Sequence, residues 1–543
     1  MNVGQWLAAL MPVLSVAVLL VLLRMPAARA MPLALVITIA LAMLAWGVPA
    51  VQISASVIEG LIIAASVVLI VLGALAFLGV MRASGALALI RLDVLKVSPD
   101  SRIQMLFVGW FLVCFIEGAA GFGTPATVAA PLLIALGFPA LAAVCLALVA
   151  DVSAVTFGAV GTPIIVGLTE GTGRQWSNPE DARAMTDVAL QATAIDVLAG
   201  MTIPLLMLWF LTNVFATEKG RRPFFEMIPL ALIAAVGFSV PAYLWTLALG
   251  VEFGGILGAA TGMAVLFGFV RLGIFVPKSP WSVTVGYIDP AELKAMVDQT
   301  EAEAADAHLS TFRVWAPYFL LTALLLLTRV VDAINATLNS WTLSLNSILG
   351  TQISAGFEPL YSPGVIFLVV AAFTVWLHRL RGPRILEAVD STLQAVLGSA
   401  VVLMAAVPIV RVFLNSGVNS SGLASMPLEL AGAAADTVGE NWPLAATWVG
   451  ALGSFVSGSA TFSHLMFGAL QESVAGAVGV SPEVVLAQQV GGANAGNMVC
   501  VTNVVTVAAV GGLLGLEGRI IRVTVIPMAV YAAVFTIVGM LLA

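Results

Sequence analysis

The chain has 543 residues, of which 61% are apolar and only 9% charged, and its mean hydropathy is +1.08. A soluble domain carries about a quarter charged residues, whereas stretches such as 60–81, 118–150 and 484–516 contain no Asp, Glu, Lys or Arg. The composition therefore excludes a soluble enzyme, a nucleic-acid-binding protein and a disordered regulator, and it predicts an all-α polytopic membrane protein.

Apolar runs between charged loops predict ten membrane spans, together with two longer regions, 103–168 and 442–513, that glycine and polar residues interrupt. Each run is close to the ~20 residues that a helix needs to cross a bilayer. We therefore divide the chain into an N-terminal membrane half (1–276), a connecting segment (277–313) and a C-terminal membrane half (314–543). The ten spans lie near 7–23, 31–49, 57–80, 188–214, 228–249, 253–276, 314–332, 363–379, 392–414 and 523–542.

The loop charges predict the side of the membrane, because Lys and Arg are concentrated in cytoplasmic loops. The connecting segment 277–313 is predicted to be a cytoplasmic surface helix. The loop 333–362 has Glu358 as its only charged residue and is predicted to be external, with an interfacial helix. The loops predicted to be inside have their basic residues at 24–29, 82–102, 219–222 and 378–384.

The two interrupted regions match each other at a fixed offset of 340 residues, which indicates an internal repeat. Their flanking charges are reversed: the first region leads from a basic loop into an acid-rich one, and the second leads from a loop without Lys or Arg into Arg519 and Arg522. Inverted repeats are typical of secondary transporters, and convergent membrane composition is the alternative. The matched residues are Phe115, Gly118, Ala120, Phe122, Val144, Leu146, Ala147 and Thr162 with Phe455, Gly458, Ala460, Phe462, Val484, Leu486, Ala487 and Thr502.

Each repeat is predicted to contain a re-entrant hairpin followed by a broken crossing helix. The hairpins are 103–137 and 442–477, and the broken helices are 141–168 and 480–513. If each hairpin returns to its own side, the chain has about 12 transmembrane helices plus two re-entrant hairpins in an inverted repeat, and every basic loop lies inside.

Two Gly-Thr-Pro triplets, at 123–125 and 161–163, interrupt apolar runs of the first repeat. Thr is a favourable N-cap and Pro is favourable at the first helical position, so each triplet predicts a helix that begins deep in the membrane. The free N–H groups and the dipole of such a helix end attract anions. A proline kink is the alternative for either triplet. The candidate substrate-binding residues here are Gly121, Phe122, Gly123, Thr124, Gly161 and Thr162.

The second repeat has hydrogen-bonding side chains at its predicted hairpin tip and in its crossing segment. Irregular backbone at this depth is tolerated only where protein or a wet cavity covers it. Hydrogen bonds between helices are the alternative role, because polar side chains in lipid need partners. The candidate substrate-binding residues here are Ser457, Ser459, Thr461, Asn494, Asn497, Thr502 and Asn503.

Ionisable side chains at membrane depth are functional candidates because they are costly to bury. We take three as candidates for proton coupling: Glu117 beside the first triplet, Asp151 in the first crossing segment, and His464, which the offset aligns with Thr124. Burial disfavours the charged form of a carboxylate, and histidine titrates near neutral pH. Structural pairing is the alternative for each. The residues indicate no catalytic constellation, no metal site and no cofactor.

Three motifs resemble the bacterial lactate permease family, which includes glycolate permeases. They are Ile116-Glu-Gly-Ala-Ala-Gly-Phe-Gly-Thr-Pro125, Phe157-Gly-Ala-Val-Gly-Thr-Pro163 and Gly491-Gly-Ala-Asn-Ala-Gly-Asn497-Met. The resemblance covers nearly the whole chain, because length and span distribution also fit. It implies uptake of L-lactate, and of D-lactate and glycolate, by proton symport through the bacterial inner (plasma) membrane. It also suggests a homodimer with an elevator-like movement, and it involves no nucleic acid.

Membrane electrostatics favours the proton as coupling ion. An anion entering a negative cell costs about 2.3 kcal/mol per charge per 100 mV, and one co-transported proton cancels that term. A sodium-coupled carboxylate transporter is the nearest alternative, because unwound carbonyls and Asn or Thr side chains can also bind Na⁺. A membrane-embedded enzyme is a distant alternative, since it would need paired metal-binding residues or a nucleophile constellation.

Overall fold

The structure is a computed structural model, which describes residues 3–16, 18, 19, 23, 25–121, 123–174, 178–288, 291, 294, 297–301 and 309–542. Within these residues the chain is predominantly α-helical. The helices of eight residues or more are α1 (Val3–Val16), α2 (Ala27–Leu44), α3 (Ala50–Ala83), α4 (Ala86–Val97), α5 (Leu112–Ala120), α6 (Thr124–Ala135), α7 (Ala140–Asp151), α8 (Pro179–Ala199), α9 (Thr202–Trp209), α10 (Arg221–Leu249), α11 (Val251–Arg271), α12 (Thr311–Val330), α13 (Asp332–Asn339), α14 (Pro363–Leu377), α15 (Gly382–Leu414), α16 (Met426–Val438), α17 (Pro443–Ser457), α18 (Ala460–Val478), α19 (Pro482–Asn497), α20 (Val501–Val510) and α21 (Glu517–Met540).

Shorter elements connect or extend these helices. The α-helical turns are Ser101–Gln104, Gly158–Thr162 and Thr169–Gly171; the π-helices are Met105–Phe111, Pro163–Leu168 and Phe210–Phe215; the 3₁₀-helices are Val152–Phe157, Ile348–Gly350, Asn415–Gly417 and Gly439–Asn441. Two antiparallel hairpins pair β1 (Trp281–Ser282) with β2 (Gly286–Tyr287) and β3 (Leu343–Leu345) with β4 (Ala355–Phe357).

Nine helical stretches among the described residues are long and apolar enough to cross a bilayer. They are Ala50–Ala83, Ser101–Ala119, Ala140–Leu168, Pro179–Phe215, Arg221–Leu249, Val251–Arg271, Gly382–Gly417, Pro482–Val510 and Glu517–Met540. The shorter apolar helices are Ala28–Leu44, Thr124–Ala135, Thr311–Leu325, Pro363–Leu377 and Pro443–Ser457. The prediction of an all-α polytopic membrane protein is confirmed, while the number of crossings and the re-entrant path of the hairpins stay predictions. The predicted span 7–23 lies partly outside the described residues.

Three predicted loops contain regular structure. The basic loop 82–102 includes α4, whose Ala86 and Ile90 lie one turn apart and are both fully buried. Helix α4 is therefore amphipathic, with one buried face, and it is shorter than a membrane span. Helix α16 occupies much of 415–441. In the loop 333–362, for which an interfacial helix is predicted, the short helix α13 precedes the hairpin β3–β4. Helices α4 and α16 were not predicted, because both are shorter than a membrane span.

The connecting segment 277–313 begins with the hairpin β1–β2 instead of a helix. Trp281 is buried, donates its backbone N–H to Asp100 at 3.2 Å, and lies under the Arg102 guanidinium at 5.7 Å. These contacts explain why the chain turns back here. Residues 297–301 are helical, and 302–308, on which the predicted surface helix also depends, lie outside the described residues.

Two pairs of closely packed helices flank the repeats. Helices α3 and α15 approach each other through a glycine, since a Cβ on Gly60 would lie 2.6 Å from Cα of Pro408. Helices α10 and α11 do the same, since a Cβ on Gly258 would lie 2.8 Å from Cβ of Ala242. Small residues permit such contacts between membrane helices. The first pair contacts α20, and α11 contacts α5, so the repeats lie between the two pairs.

Both repeats have the same order of elements: a helix, a tip, a second helix, a crossing helix and a break. In the first repeat these are α5, the first tip (residues 121–123), α6, α7 and the first break (residues 152–162). In the second they are α17, the second tip (Gly458 and Ser459), α18, α19 and the second break (residues 498–500). The repeats pack against each other crosswise, because α18 contacts the π-helix Pro163–Leu168 and α20 contacts α6.

The structure corrects the register of the ungapped alignment at the tips. The offset of 340 residues places Gly118 over Gly458, but α5 continues through Gly118 to Ala120. It is Gly121 that occupies the position of Gly458, because these two glycines are the C-cap residues at which α5 and α17 end. The alignment is therefore three residues out of register here, and His464, inside α18, is not the counterpart of the helix-starting Thr124.

Candidate functional site

The first tip is a glycine-based reversal between α5 and α6. Gly121 and Gly123 have φ of +60° and +70°, a region that strongly favours glycine. Helix α6 begins at Thr124 with Pro125 in its first turn, so the predicted helix start is confirmed. The cap differs from the prediction, because Gly123 is the N-cap residue and the buried Thr124 hydroxyl has no hydrogen-bond partner among the described residues. Phe122 lies outside the described residues.

Both glycines of the first tip contact residues that a side chain would displace. A Cβ on Gly121 would lie 3.0 Å from the backbone nitrogen of Ala159 in the first break. A Cβ on Gly123 would lie 2.7 Å from Oδ1 of Asn503 in α20. The first tip thus packs between the first break and helix α20 of the second repeat.

The first break contains three consecutive residues with left-handed backbone: Ala159, Val160 and Gly161, with φ of 45°, 59° and 80°. This conformation is unusual for a β-branched residue such as Val160, and strain of this kind persists only where the surroundings enforce it. A new helical segment then begins at Thr162 and Pro163, as the second Gly-Thr-Pro triplet predicts. The Thr162 hydroxyl donates to the Ala159 carbonyl at 2.6 Å and ties the two sides of the break together.

The second tip reverses the chain with one left-handed glycine and a serine. Gly458 has φ of +75°, Ser459 is extended, and α18 begins at Ala460. The Ser457 hydroxyl donates to the Gly453 carbonyl at 2.7 Å and accepts from the Ser459 N–H at 3.4 Å. Ser457 therefore stabilises the turn itself. Thr461, one residue into α18, packs against Gly167 of the first repeat.

The second break links the repeats through asparagine side chains. Asn497 donates to the Asp151 carboxylate at 2.8 Å, and Asn503 donates to Asn497 Oδ1 at 2.9 Å. Asn494, one turn before Asn497, donates to the Thr156 hydroxyl of the first break at 2.7 Å. Two of these three bonds join the broken helix of one repeat to that of the other. Asn494, Asn497 and Asn503 therefore form hydrogen bonds between helices, the role named above as the alternative to substrate binding.

Glu117 and Asp151 form a buried carboxyl pair behind the first tip. Their residues are 3% and 1% exposed, and their carboxyl groups are close enough to interact electrostatically. One oxygen of each has no hydrogen-bond partner in the described part of the chain. Two carboxylates this close repel each other when both are charged, so the pair remains a candidate for proton coupling. The sequence predicts both residues as candidates but does not predict that they lie together.

His464 lies apart from this pair. It is fully buried, with Nδ1 3.5 Å from the Gln489 side chain and, within the described chain, no partner for Nε2. Gln489 in turn accepts from Gln471 at 2.8 Å, and Gln471 accepts from Trp442 at 2.8 Å. His464 therefore belongs to a polar cluster that joins α17, α18 and α19.

Polar residues that sequence analysis did not select complete the network. The Tyr531 hydroxyl donates to Asp196 at 2.7 Å, which joins α21 to α8. Thr156 receives the Asn494 bond described above. A lone tyrosine in the charge-free segment 523–543 is a usable signal for Tyr531, since a buried phenol needs a partner. We find no comparable signal for Thr156.

Both tips, the first break and Asn497 at the end of α19 meet at a cavity of about 30 Å³, which we call the central cavity. Of the predicted residues, it is lined by Glu117, Gly121, Gly123, Thr162, Ser459, Thr461 and Asn497. Ser457, Thr502 and Asn503 instead line a larger neighbouring cavity of about 360 Å³, which also contains Arg411. Thr124, Gly161, Asn494, Asp151 and His464 line neither cavity. No Lys or Arg is among the described residues around the central cavity.

Comparison with known proteins identifies the family. The family model described as L-lactate permease matches residues 5–543. The chain is 27% identical to the L-lactate permeases of Salmonella typhi and Escherichia coli, with 96% of this chain and 93% of each relative covered. It is 26% identical to the glycolate permease GlcA of Escherichia coli, with 98% and 95% covered. The YdaH transporter structure from Alcanivorax borkumensis is 14% identical and superposes with a TM-score of 0.29, over 87% of this chain and 84% of that one, which is too low to bear on the fold.

The family model covers nearly the full length, and the apolar helices match a permease that crosses the membrane many times. The resemblance carried by the three glycine-rich motifs is thereby confirmed. The chain belongs to the L-lactate permease family and is a multi-pass permease of the bacterial inner membrane.

Proposed function

We propose that the protein takes up L-lactate, and also D-lactate and glycolate, by proton symport across the plasma membrane. The names of its relatives, L-lactate permease and glycolate permease, support this substrate class. All three substrates are small 2-hydroxy acids with one carboxylate and one hydroxyl group. The site therefore has to provide an anion-binding element and one further hydrogen-bonding group.

The observation that carries the proposal is the meeting of two helix N-termini, α6 and α18, at one cavity without Lys or Arg among its described lining. The first N–H groups of a helix and the positive end of its dipole bind a carboxylate without a fixed cation. Ser459, Thr461 and Asn497 offer groups for the hydroxyl. Walls of Gly121, Gly158 and Ala159 suit a small substrate and exclude a long one.

Binding requires the two tips to separate. A cavity of about 30 Å³ has room for roughly two water molecules, and lactate is larger. The tips are the parts that can move, because each is a short reversal between two helices, whereas α19 is tied to α7 and to the first break by asparagine bonds. We infer that the substrate enters between the first and second tips and that their closure encloses it.

The Glu117–Asp151 pair supports proton coupling. Glu117 lines the central cavity, so a bound carboxylate adds a second negative charge beside the pair. Repulsion between these charges favours the protonated pair, and substrate and proton then bind together. Asn497 connects the pair to the second break, so the proton and both repeats share one network.

Reconstituted transport tests the function directly. Proteoliposomes with an inward pH gradient should accumulate labelled L-lactate, and counterflow should show that D-lactate and glycolate exchange with it whereas succinate does not. Accumulation that follows a sodium gradient and ignores the pH gradient would overturn proton coupling. A protein that exchanges none of the three acids is not a 2-hydroxy-acid permease. The homodimer that the family resemblance suggests is tested by the mass of the purified protein in detergent, with a monomer as the contrary result.

A further inference from the structure

The larger cavity opens beside the second tip. It has a volume of about 360 Å³, and Gly458 and Ser459 belong to its lining and to that of the central cavity as well. Residues 356–358 of the predicted external loop also line it. We call it the vestibule, because a solute on that side reaches the second tip through it.

Arg411, near the end of α15, is the basic residue among the described lining of the two cavities. Its side chain is 12% exposed, and its guanidinium lies 4.6 Å above the ring of Phe462, in the first turn of α18. The N–H groups of an arginine on an aromatic ring point outward in the plane of the guanidinium, where a carboxylate can bind two of them.

The ion pair of Arg411 leaves most of these donors available. Its Nη1 lies 3.4 Å from Glu59, longer than the 2.7–2.9 Å of a charge-assisted hydrogen bond. Glu59 is also bonded to Asn415 at 2.6 Å through its other oxygen. Among the described residues the guanidinium has no shorter polar contact. A half-buried arginine with five donors and one long contact has capacity for another anion.

The vestibule also has the size and apolar character of a ligand site. Its volume lies within the range of about 300–1,000 Å³ that is usual for small-molecule pockets. Three aromatic residues, Phe357, Tyr361 and Phe462, line it near Arg411. Glu358 is the acidic residue of the described lining, and Glu59 is the ion-pair partner of Arg411.

We propose that Arg411 forms an outer carboxylate-binding subsite, at which a monocarboxylate binds before the tips open to the central cavity. The inference rests on the proposed function for its physiological ligand. Because Arg411 itself contacts Phe462 in the first turn of α18, a carboxylate bound to Arg411 lies next to the second tip. The subsite is wider than the central cavity and accepts aromatic 2-hydroxy acids that the central cavity excludes.

Phenyllactate is the probe that separates the two sites. Its carboxylate can bind Arg411 while its ring packs among the aromatic residues, and its size prevents enclosure between the tips. We expect it to inhibit lactate uptake competitively without being transported. Rapid accumulation of labelled phenyllactate would contradict the difference in size between the two sites.

The double variant Arg411→Gln with Glu59→Gln removes the ion pair without leaving a buried charge unpaired. We expect its inhibition constant for phenyllactate to rise about tenfold, the loss of one good charge-assisted contact. The single variant Glu59→Gln keeps the guanidinium and removes its competing carboxylate, so the constant should fall below that of wild type. If the Arg411–Glu59 ion pair only holds α3 against α15, Glu59→Gln weakens inhibition by phenyllactate or leaves it unchanged, and the proposal is wrong.

A matched control is available in Arg271, which lies 5.1 Å above the ring of Phe267, is exposed, and lines neither cavity. Arg271→Gln should leave the inhibition constant unchanged. Thermal stabilisation of the purified protein by phenyllactate provides a readout that does not depend on lactate transport. Stabilisation of wild type but not of the double variant supports the subsite even if lactate proves not to be the substrate, and equal stabilisation of both overturns it.

Discussion

Replacing Gly123 by alanine tests whether the first tip forms the substrate site. The new Cβ would lie 2.7 Å from Asn503 Oδ1, so the asparagine side chain must move and its bond of 2.9 Å to Asn497 is lost. Leaving such buried groups unpaired costs roughly 1–3 kcal/mol. The positive φ of +70° adds about 1–2 kcal/mol for any residue with a Cβ.

Gly479 provides a control for the conformational cost of placing alanine at a positive φ. Its φ of +73° is nearly the same, and a Cβ there would meet nothing within 4 Å. Gly479→Ala thus carries the conformational cost without the collision. The difference between the two variants isolates the contact with Asn503, and a difference of roughly 1–3 kcal/mol corresponds to about a 5- to 150-fold change in an equilibrium constant.

The assay is lactate counterflow into proteoliposomes, with the melting temperature of each purified variant measured in parallel. We expect Gly123→Ala to raise the apparent KM relative to Gly479→Ala by up to the factor above, because the new methyl group lies in the lining of the central cavity. The melting temperatures report the part of the cost that falls on folding. A bulkier Gly123→Leu should abolish binding while the protein still inserts. If Gly123→Ala and Gly479→Ala have the same KM within twofold, the first tip is a structural kink and the assignment of the site is refuted.

Three further predictions concern coupling and topology. Glu117→Gln mimics a protonated carboxyl group in the pair with Asp151, so the variant should exchange lactate but lose accumulation driven by a pH gradient; if it still concentrates lactate at normal rates, the proton travels elsewhere and His464 is tested next. In wild type, lactate affinity should rise as pH falls, because the substrate charge favours the protonated pair, and the same titration of Glu117→Gln should be flatter. For topology, cysteines introduced at Ala140 and Ala477 should react with impermeant reagents from inside and outside respectively, and labelling of both from one side would contradict the inverted repeat.

Local sequence determined the helix starts and the class of protein. Each Gly-Thr-Pro triplet supplies a residue that tolerates left-handed backbone and a proline that favours the first turn, and both triplets begin helical segments as predicted. The charge-free runs likewise predicted the long apolar helices, because burial of a charge in lipid is costly whatever the fold. These features depend on neighbouring residues only, so sequence analysis can detect them.

Tertiary packing decided which of the candidate residues act together. Asp151 and Asn497, or Thr156 and Asn494, lie more than three hundred residues apart in the chain and meet because the broken helices of the two repeats pack against each other. No local pattern fixes that register, and the ungapped alignment was three residues out where α5 and α17 end, since two repeats can keep the same order of elements while the lengths of their helices differ. Only the structure shows that His464 lines neither cavity and that Arg411 lines the vestibule. Burial and proximity are properties of the packed helices and not of the residue types.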